Sequence, residues 1–296
     1  MRRYKFSDLL LYEKRAKDLY FKLGLGFSSS NRISKYFAYL SNIEKSRKLD
    51  KASFSQLIQK DKAKYYYSQF NVLEMCNIID AIDGSIQDEK ILKKKLVDLS
   101  KGTYLLSEES SNNTKARDTT FELSLFSFFQ ARGLNIKLGD PNPDLQLVSN
   151  NFTYNIECKR PHSLNSLEKH IKEAVKQLKK SPGSNVVPTI ALSLEQVLLR
   201  GDLILDSRDE ESAANFLNAT LEDFLQSNLK MVQKICGDEP CLVLYYLSCL
   251  TGFKSDIPMA NATFITGNIY NFGESLSSSI YKNLNTIIPQ EIYSSV

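Results

Sequence analysis

The sequence predicts an α/β protein whose first third is all-helical, on three observations. Residues 1–106 carry apolar side chains at helical spacing. From residue 118 on, two apolar runs of strand length appear, Val186–Ser193 and Cys241–Leu247. Helical segments at 164–180 and 209–235 precede those two runs, the alternation of an α/β sheet. The polar, turn-rich stretch Ser107–Lys115 divides the chain into a helical domain, 1–106, and a second domain, 107–296.

In chain order, the first helix spans about 3–23 and stops at Gly24. Others follow at 32–48, 52–59, 61–81 and 87–100. Basic and aromatic residues interleave here, as in Lys35-Tyr36-Phe37 and in Lys62 and Lys64 beside Tyr65-Tyr66-Tyr67. Such interleaving serves either base stacking or a core fringed by solvated lysines. The next helix has Asp118 as its N-cap and Gly133 as its stop. It is apolar nearly all round, which predicts burial against a sheet. A strand at 134–139 and a turn at 140–143 lead into two short alternating runs, 145–148 and 152–156. The 164–180 helix buries Leu167, Ile171, Ala174, Val175 and Leu178 and turns Lys169, Lys172 and Lys176 outward; Ser181-Pro182-Gly183 breaks it. From Thr251 on, the chain is rich in Ser, Asn and Gly and carries no readable motif.

Composition narrows the function classes. With 42% hydrophobic and 24% charged residues over 296 positions, the chain is ordinary for a globular protein. No apolar run reaches membrane-span length and no secretory leader opens it, so a cytoplasmic protein is expected. Five cysteines without a Cys-x-x-Cys pair, and only two histidines, argue against a zinc site or a disulfide framework. Net charge is about +8 over 1–100, about +3 over 101–181 and about −7 beyond, an asymmetry that fits a polyanion partner or an ordinary solvated surface.

The chemistry concentrates around residue 150. If Asn150-Asn151 is a two-residue turn, the flanking runs pair Ser149 with Phe152, Val148 with Thr153, Leu147 with Tyr154, Gln146 with Asn155 and Leu145 with Ile156. Asp144 then falls opposite Glu157, and the period of two returns Lys159 to the same face. Two carboxylates so close repel unless a cation lies between them. Hard oxygen ligands suit Mg²⁺ or Mn²⁺, and a neighbouring lysine can orient water or offset phosphate charge. Acid-any-lysine alone is a weak pattern: Asp88-Glu89-Lys90 repeats it at what reads as a solvated helix start. Asp140 competes with Asp144, but only Asp144 enters the alternating strand.

Pro143-Asp144 followed by Glu157-Cys158-Lys159 resembles the signature of the PD-(D/E)XK nuclease superfamily, which includes restriction endonucleases. The order helix, strand, strand, strand, helix, strand, helix, strand over about 118–250 is similar to its mixed-sheet core. The resemblance implies a restriction-endonuclease-like fold and Mg²⁺ held by Asp144, Glu157 and the Cys158 carbonyl, with Glu122 as an added acid. It also implies that Lys159 activates water, that Gln177 contacts water or substrate, and that the products carry 5′-phosphate and 3′-hydroxyl ends. DNA rather than RNA is the expected substrate, with a restriction or antiviral defence role and a homodimer by analogy. Lys169, Lys172 and Lys176 are candidate phosphate contacts. The alternative is a silent or partner-gated nuclease-fold protein that only binds.

Overall fold

The computed structural model describes residues 2–288 apart from 4–5, 50, 111–112, 181–182, 184, 200–203, 208 and 254–259. Contacts cluster into two units. The first comprises Met1–Thr120 with Gly201–Ala213 and Cys249–Ala262, and the second comprises Phe121–Arg200, Ala214–Ser248 and Thr263–Val296.

The first unit holds the predicted helices α1 (Phe6–Lys22), α2 (Arg32–Leu49), α3 (Lys51–Lys60), α4 (Lys62–Asp83) and α5 (Glu89–Leu99). Leu9, Ala16, Tyr36, Phe37, Leu40, Leu73 and Ile79 fill the space between them. The α1 helix stops at Gly24, whose φ of 68° is open to glycine without strain. Asp88 is the N-cap of α5, accepting from the Ile91 amide, and Glu89 pairs with Lys93 at 2.7 Å. The second acid-any-lysine copy is therefore a capped, exposed helix start. Also in this unit, β1 (Arg2–Arg3) pairs with residues 260–261, and β6 (Ile204–Ser207) runs parallel to residues 250–253.

The second unit is a mixed sheet with flanking helices. Among the described residues its order is β8-β7-β5-β4-β3-β2, built from β2 (Asn135–Leu138), β3 (Leu145–Ser149), β4 (Phe152–Lys159), β5 (Val186–Ser193), β7 (Cys241–Phe253) and β8 (Ala260–Tyr270). The β2-β3-β4 strands are antiparallel and β4-β5-β7 parallel. Around them lie α6 (Lys115–Gln130), α7 (Leu164–Leu178), the short α8 (Glu195–Leu198), α9 (Glu210–Cys236) and α10 (Glu274–Ile287). The α6 helix is buried through Leu123, Leu125, Phe126 and Phe129, and Phe121 packs on Tyr246 at 5.1 Å. Its start is a correction: it begins at Lys115, so Asp118 lies in the first turn and not at the cap. An acid there still meets the positive end of the helix dipole. Ser181 and Pro182, expected to break α7, lie outside the described residues, as do Ser111 and Asn112.

The tail is the largest departure from the sequence reading. The stretch after Thr251 forms the end of β7, β8 and α10, where Ile280, Asn283, Leu284 and Ile287 are buried at helical spacing. Asn283 is locked on the hairpin. Its Nδ2 donates to the Ser149 carbonyl at 3.1 Å and to the Tyr154 hydroxyl at 2.9 Å, while Oδ1 accepts from Ser149 Oγ and Asn150 Nδ2. Both donors and both acceptor sites of the amide are used. Tyr154 is itself buried, which pushes its phenol up to about 12. No helix among the described residues is long and apolar enough to cross a membrane.

Asn283→Ala leaves the Ser149 carbonyl and Tyr154 hydroxyl short of partners, a loss of about 1–3 kcal/mol in urea unfolding. Combined with Tyr154→Phe, the loss is less than the sum of the two single changes, because they share one bond.

Candidate functional site

The hairpin takes the predicted register: Ser149 opposite Phe152, Val148 opposite Thr153, Leu147 opposite Tyr154, Gln146 opposite Asn155 and Leu145 opposite Ile156. Asn150 alone of the two turn residues takes positive φ, 51°. Pairing stops at Leu145–Ile156, and the reason lies in the next residues. In an antiparallel ladder, hydrogen-bonded and non-hydrogen-bonded pairs alternate. Counting from the turn, Asp144–Glu157 is a non-bonded position, where side chains stand closest, and the next bonded partner of Cys158 is Pro143. Proline has no N–H to exchange. The Cys158 N–H, whose ladder acceptor would be the Pro143 carbonyl, donates to Asp144 Oδ2 at 2.8 Å.

A six-residue connection, 139–144, joins β2 to β3, and within it the Gly139 amide donates to the Asp144 carbonyl at 2.8 Å. Both X-Pro bonds in the loop are cis. A Cβ on Gly139 would stand 2.0 Å from the Pro143 carbonyl oxygen, so no side chain fits there.

Glu157 is 1% exposed. Burial first, and then the Asp144 charge, push its carboxyl up from 4.5 to about 7; Lys159 pulls the other way, and Glu122 on α6 adds a smaller upward push. Lys159 Nζ stands 3.5 Å from Glu157 Oε2. The other oxygen, Oε1, faces Asn142, whose amide nitrogen, oriented toward it, donates at 3.0 Å and also reaches the Pro141 carbonyl at 3.0 Å. The Gln177 amide meets the Asn142 amide at 3.1 Å, and its second amide atom is buried without a partner among the described residues.

The structure thus brings Asp144, Glu157 and Lys159 together and sets Gln177 one residue away, through Asn142. Glu122 is near enough for its charge to reach Glu157. Among the described residues, no three His, Cys, Asp or Glu side chains converge as a ready-made metal cage. Cys158 contributes its N–H to Asp144 and lies partly exposed in β4. The lysine stripe of α7 is largely charge-balanced: Lys172 pairs with Glu168 at 2.5 Å and Lys169 with Glu173 at 3.9 Å, while Lys176 is partnered by no described residue. In the first unit, Tyr36 and Phe37 are fully buried, and so are core residues that cannot stack on bases.

Two features escaped the sequence reading. Asn142, the direct partner of Glu157, stands two residues before Asp144 in Pro-Asn-Pro, and only that confinement between prolines marked it. Beyond the ends of β4 and β5, Glu195 accepts a hydrogen bond from Ser193 and faces the charge of the buried Arg160; burial pushes its carboxyl up to about 7. Comparison with protein-family models, curated proteins and solved structures found no match for the chain.

A carboxyl raised above its unfolded value holds its proton in the fold after the unfolded chain has lost it. The contribution of Glu157 to stability is therefore full below about pH 4.5 and falls as pH rises toward about 7. Glu157→Gln, neutral throughout, removes part of that fall, on the order of 3 kcal/mol at most, measured by urea midpoints across the window. Gly139→Ala forces backbone apart and costs about 1–3 kcal/mol, read as a lower melting temperature.

Proposed function

We propose that this chain is a metal-dependent nuclease with a PD-(D/E)XK core, in which α6, β2-β3-β4, α7 and β5 are the restriction-endonuclease-like elements. One observation carries the reading: Asp144 and Glu157 are held together against their own repulsion, with Lys159 beside them. A fold gains nothing in stability from setting the buried Glu157 carboxyl beside a second, half-buried acid. A charge deficit that a divalent cation would fill gives that arrangement a use.

The donor set fits Mg²⁺, which is typically held by one or two carboxylates with water and substrate phosphate completing its shell. Asp144 and Glu157 would hold it with the Cys158 carbonyl, and Glu122 would add negative charge from α6; Mn²⁺ would substitute. Bound there, the ion supplies Lewis-acid stabilisation of charge on the phosphoryl and leaving oxygens.

The protein's own groups do the rest. Lys159, fixed by Glu157, orients a water for in-line attack and offsets charge on the phosphate. Asn142 holds Glu157 in place from its other oxygen. The water oxygen bonds to phosphorus and gives up a proton to solvent, the P–O3′ bond breaks, and the leaving oxygen takes up a proton from solvent. A 5′-phosphate and a 3′-hydroxyl result. DNA is the proposed substrate, with a role in restriction or antiviral defence. A homodimer would supply one site for each strand of a duplex.

Incubating supercoiled plasmid, linear duplex, single-stranded DNA and RNA with EDTA, Mg²⁺ or Mn²⁺ tests this. Asp144→Ala and Lys159→Ala are expected to lower metal-dependent cleavage by at least about a hundredfold, the lower end of what a positioned catalytic group supplies. Cleavage indifferent to both changes would sink the assignment. Metal stabilisation that depends on Asp144, without cleavage of any substrate, would favour the gated alternative.

A further inference from the structure

The face of the hairpin that carries the acids does not end with them. Two residues back along each strand lies another cross-strand row, Lys137 on β2, Gln146 on β3 and Asn155 on β4, fixed by the pairs Lys137–Gln146 and Gln146–Asn155. By the period of two it shares the face of Asp144 and Glu157, at a step of about 6.8 Å. The face opens toward the sheet edge: Asn155 is buried, Gln146 partly exposed and Lys137 exposed. The opposite face of the same strands, with Ile136, Leu138, Leu145, Leu147 and Tyr154, is closed. Gln146 Nε2 donates to Asn155 Oδ1 at 3.1 Å, which fixes both amides. Lys137 forms no ion pair with a described residue.

We propose that Lys137, Gln146 and Asn155 form a subsite for the phosphate next to the one that is cut. This rests on the nuclease reading and narrows it: the site takes a polynucleotide, not a lone small phosphodiester. A cation flanked by amide groups suits a backbone phosphate, which positions a strand without reading its sequence. The Asp144–Glu157 pair repels the unreacted phosphates of a polyanion, so an adjacent cation is where that cost is recovered. A lysine on an edge strand can also serve only to block strand-to-strand association. The two roles give different results.

The test compares a short single-stranded DNA, which has flanking phosphates, with bis(p-nitrophenyl) phosphate, which has none. Lys137→Ala is expected to lower the ratio of kcat/KM for DNA to that for the small diester about tenfold, through KM, and to flatten the salt dependence of KM. Gln146→Ala should move the ratio in the same direction. An unchanged ratio overturns the subsite, as does a Lys137→Ala protein whose altered behaviour is self-association. Should the unaltered chain hydrolyse neither substrate in any metal, the nuclease reading fails on its own. Fluorescence anisotropy of the same labelled DNA then decides the phosphate contact alone: weaker binding by Lys137→Ala upholds a backbone-phosphate contact at this row, and equal binding overturns it.

Discussion

The register of one hairpin governs this protein's chemistry. Side chains alternate with a period of two, so a slip of one residue between β3 and β4 would send Asp144 or Glu157 to the closed face. Two devices hold the register. At one end, Asn150 closes a two-residue turn, and Asn283 ties the hairpin to α10 through four hydrogen bonds, three at Ser149 and Asn150 and one at Tyr154. At the other, Pro143 has no N–H to extend the ladder, and the Cys158 N–H donates to the Asp144 side chain and not to the Pro143 carbonyl. The side chain that accepts the last strand N–H is also the first acid of the site.

That economy has an energetic consequence. Glu157 is nearly inaccessible, and its carboxyl is displaced upward by burial and by Asp144. Lys159 at 3.5 Å and the Asn142 amide offset part of this. Asn142 can do so because the loop around it is short and closed, with Gly139 against Pro143. The site is thus built by a chain of backbone restrictions, and the side chains that bear charge are the last members of it.

Much of this was legible locally. The helices of the first unit, the buried α6, the lysine-edged α7 and the two central strands follow from periodicity, because each buries one face of a regular element. The hairpin register followed from Asn-Asn and alternation, and with it the meeting of Asp144, Glu157 and Lys159. The tail was harder. In α10, Ile280, Leu284 and Ile287 keep helical spacing, but Ser and Asn fill the positions between them and Asn283 joins the buried face. A polar residue that is buried because its partners are distant in sequence breaks the apolar pattern that sequence reading relies on.

The sequence by itself determined the element types, the hairpin pairing and the face on which the acids stand, since all of these depend on neighbours within a few residues. Only the tertiary structure decided that Asn142 meets Glu157, that Gln177 meets Asn142, and that Glu122 on α6 comes within reach of the Glu157 charge. The tertiary structure also set the charge of Arg160 within reach of Glu195. It alone divided the chain into two units interleaved along the sequence, with 201–213 and 249–262 assigned to the first. Those outcomes depend on which distant segments pack together, and packing is chosen by the shape and burial of whole elements, which no local pattern encodes.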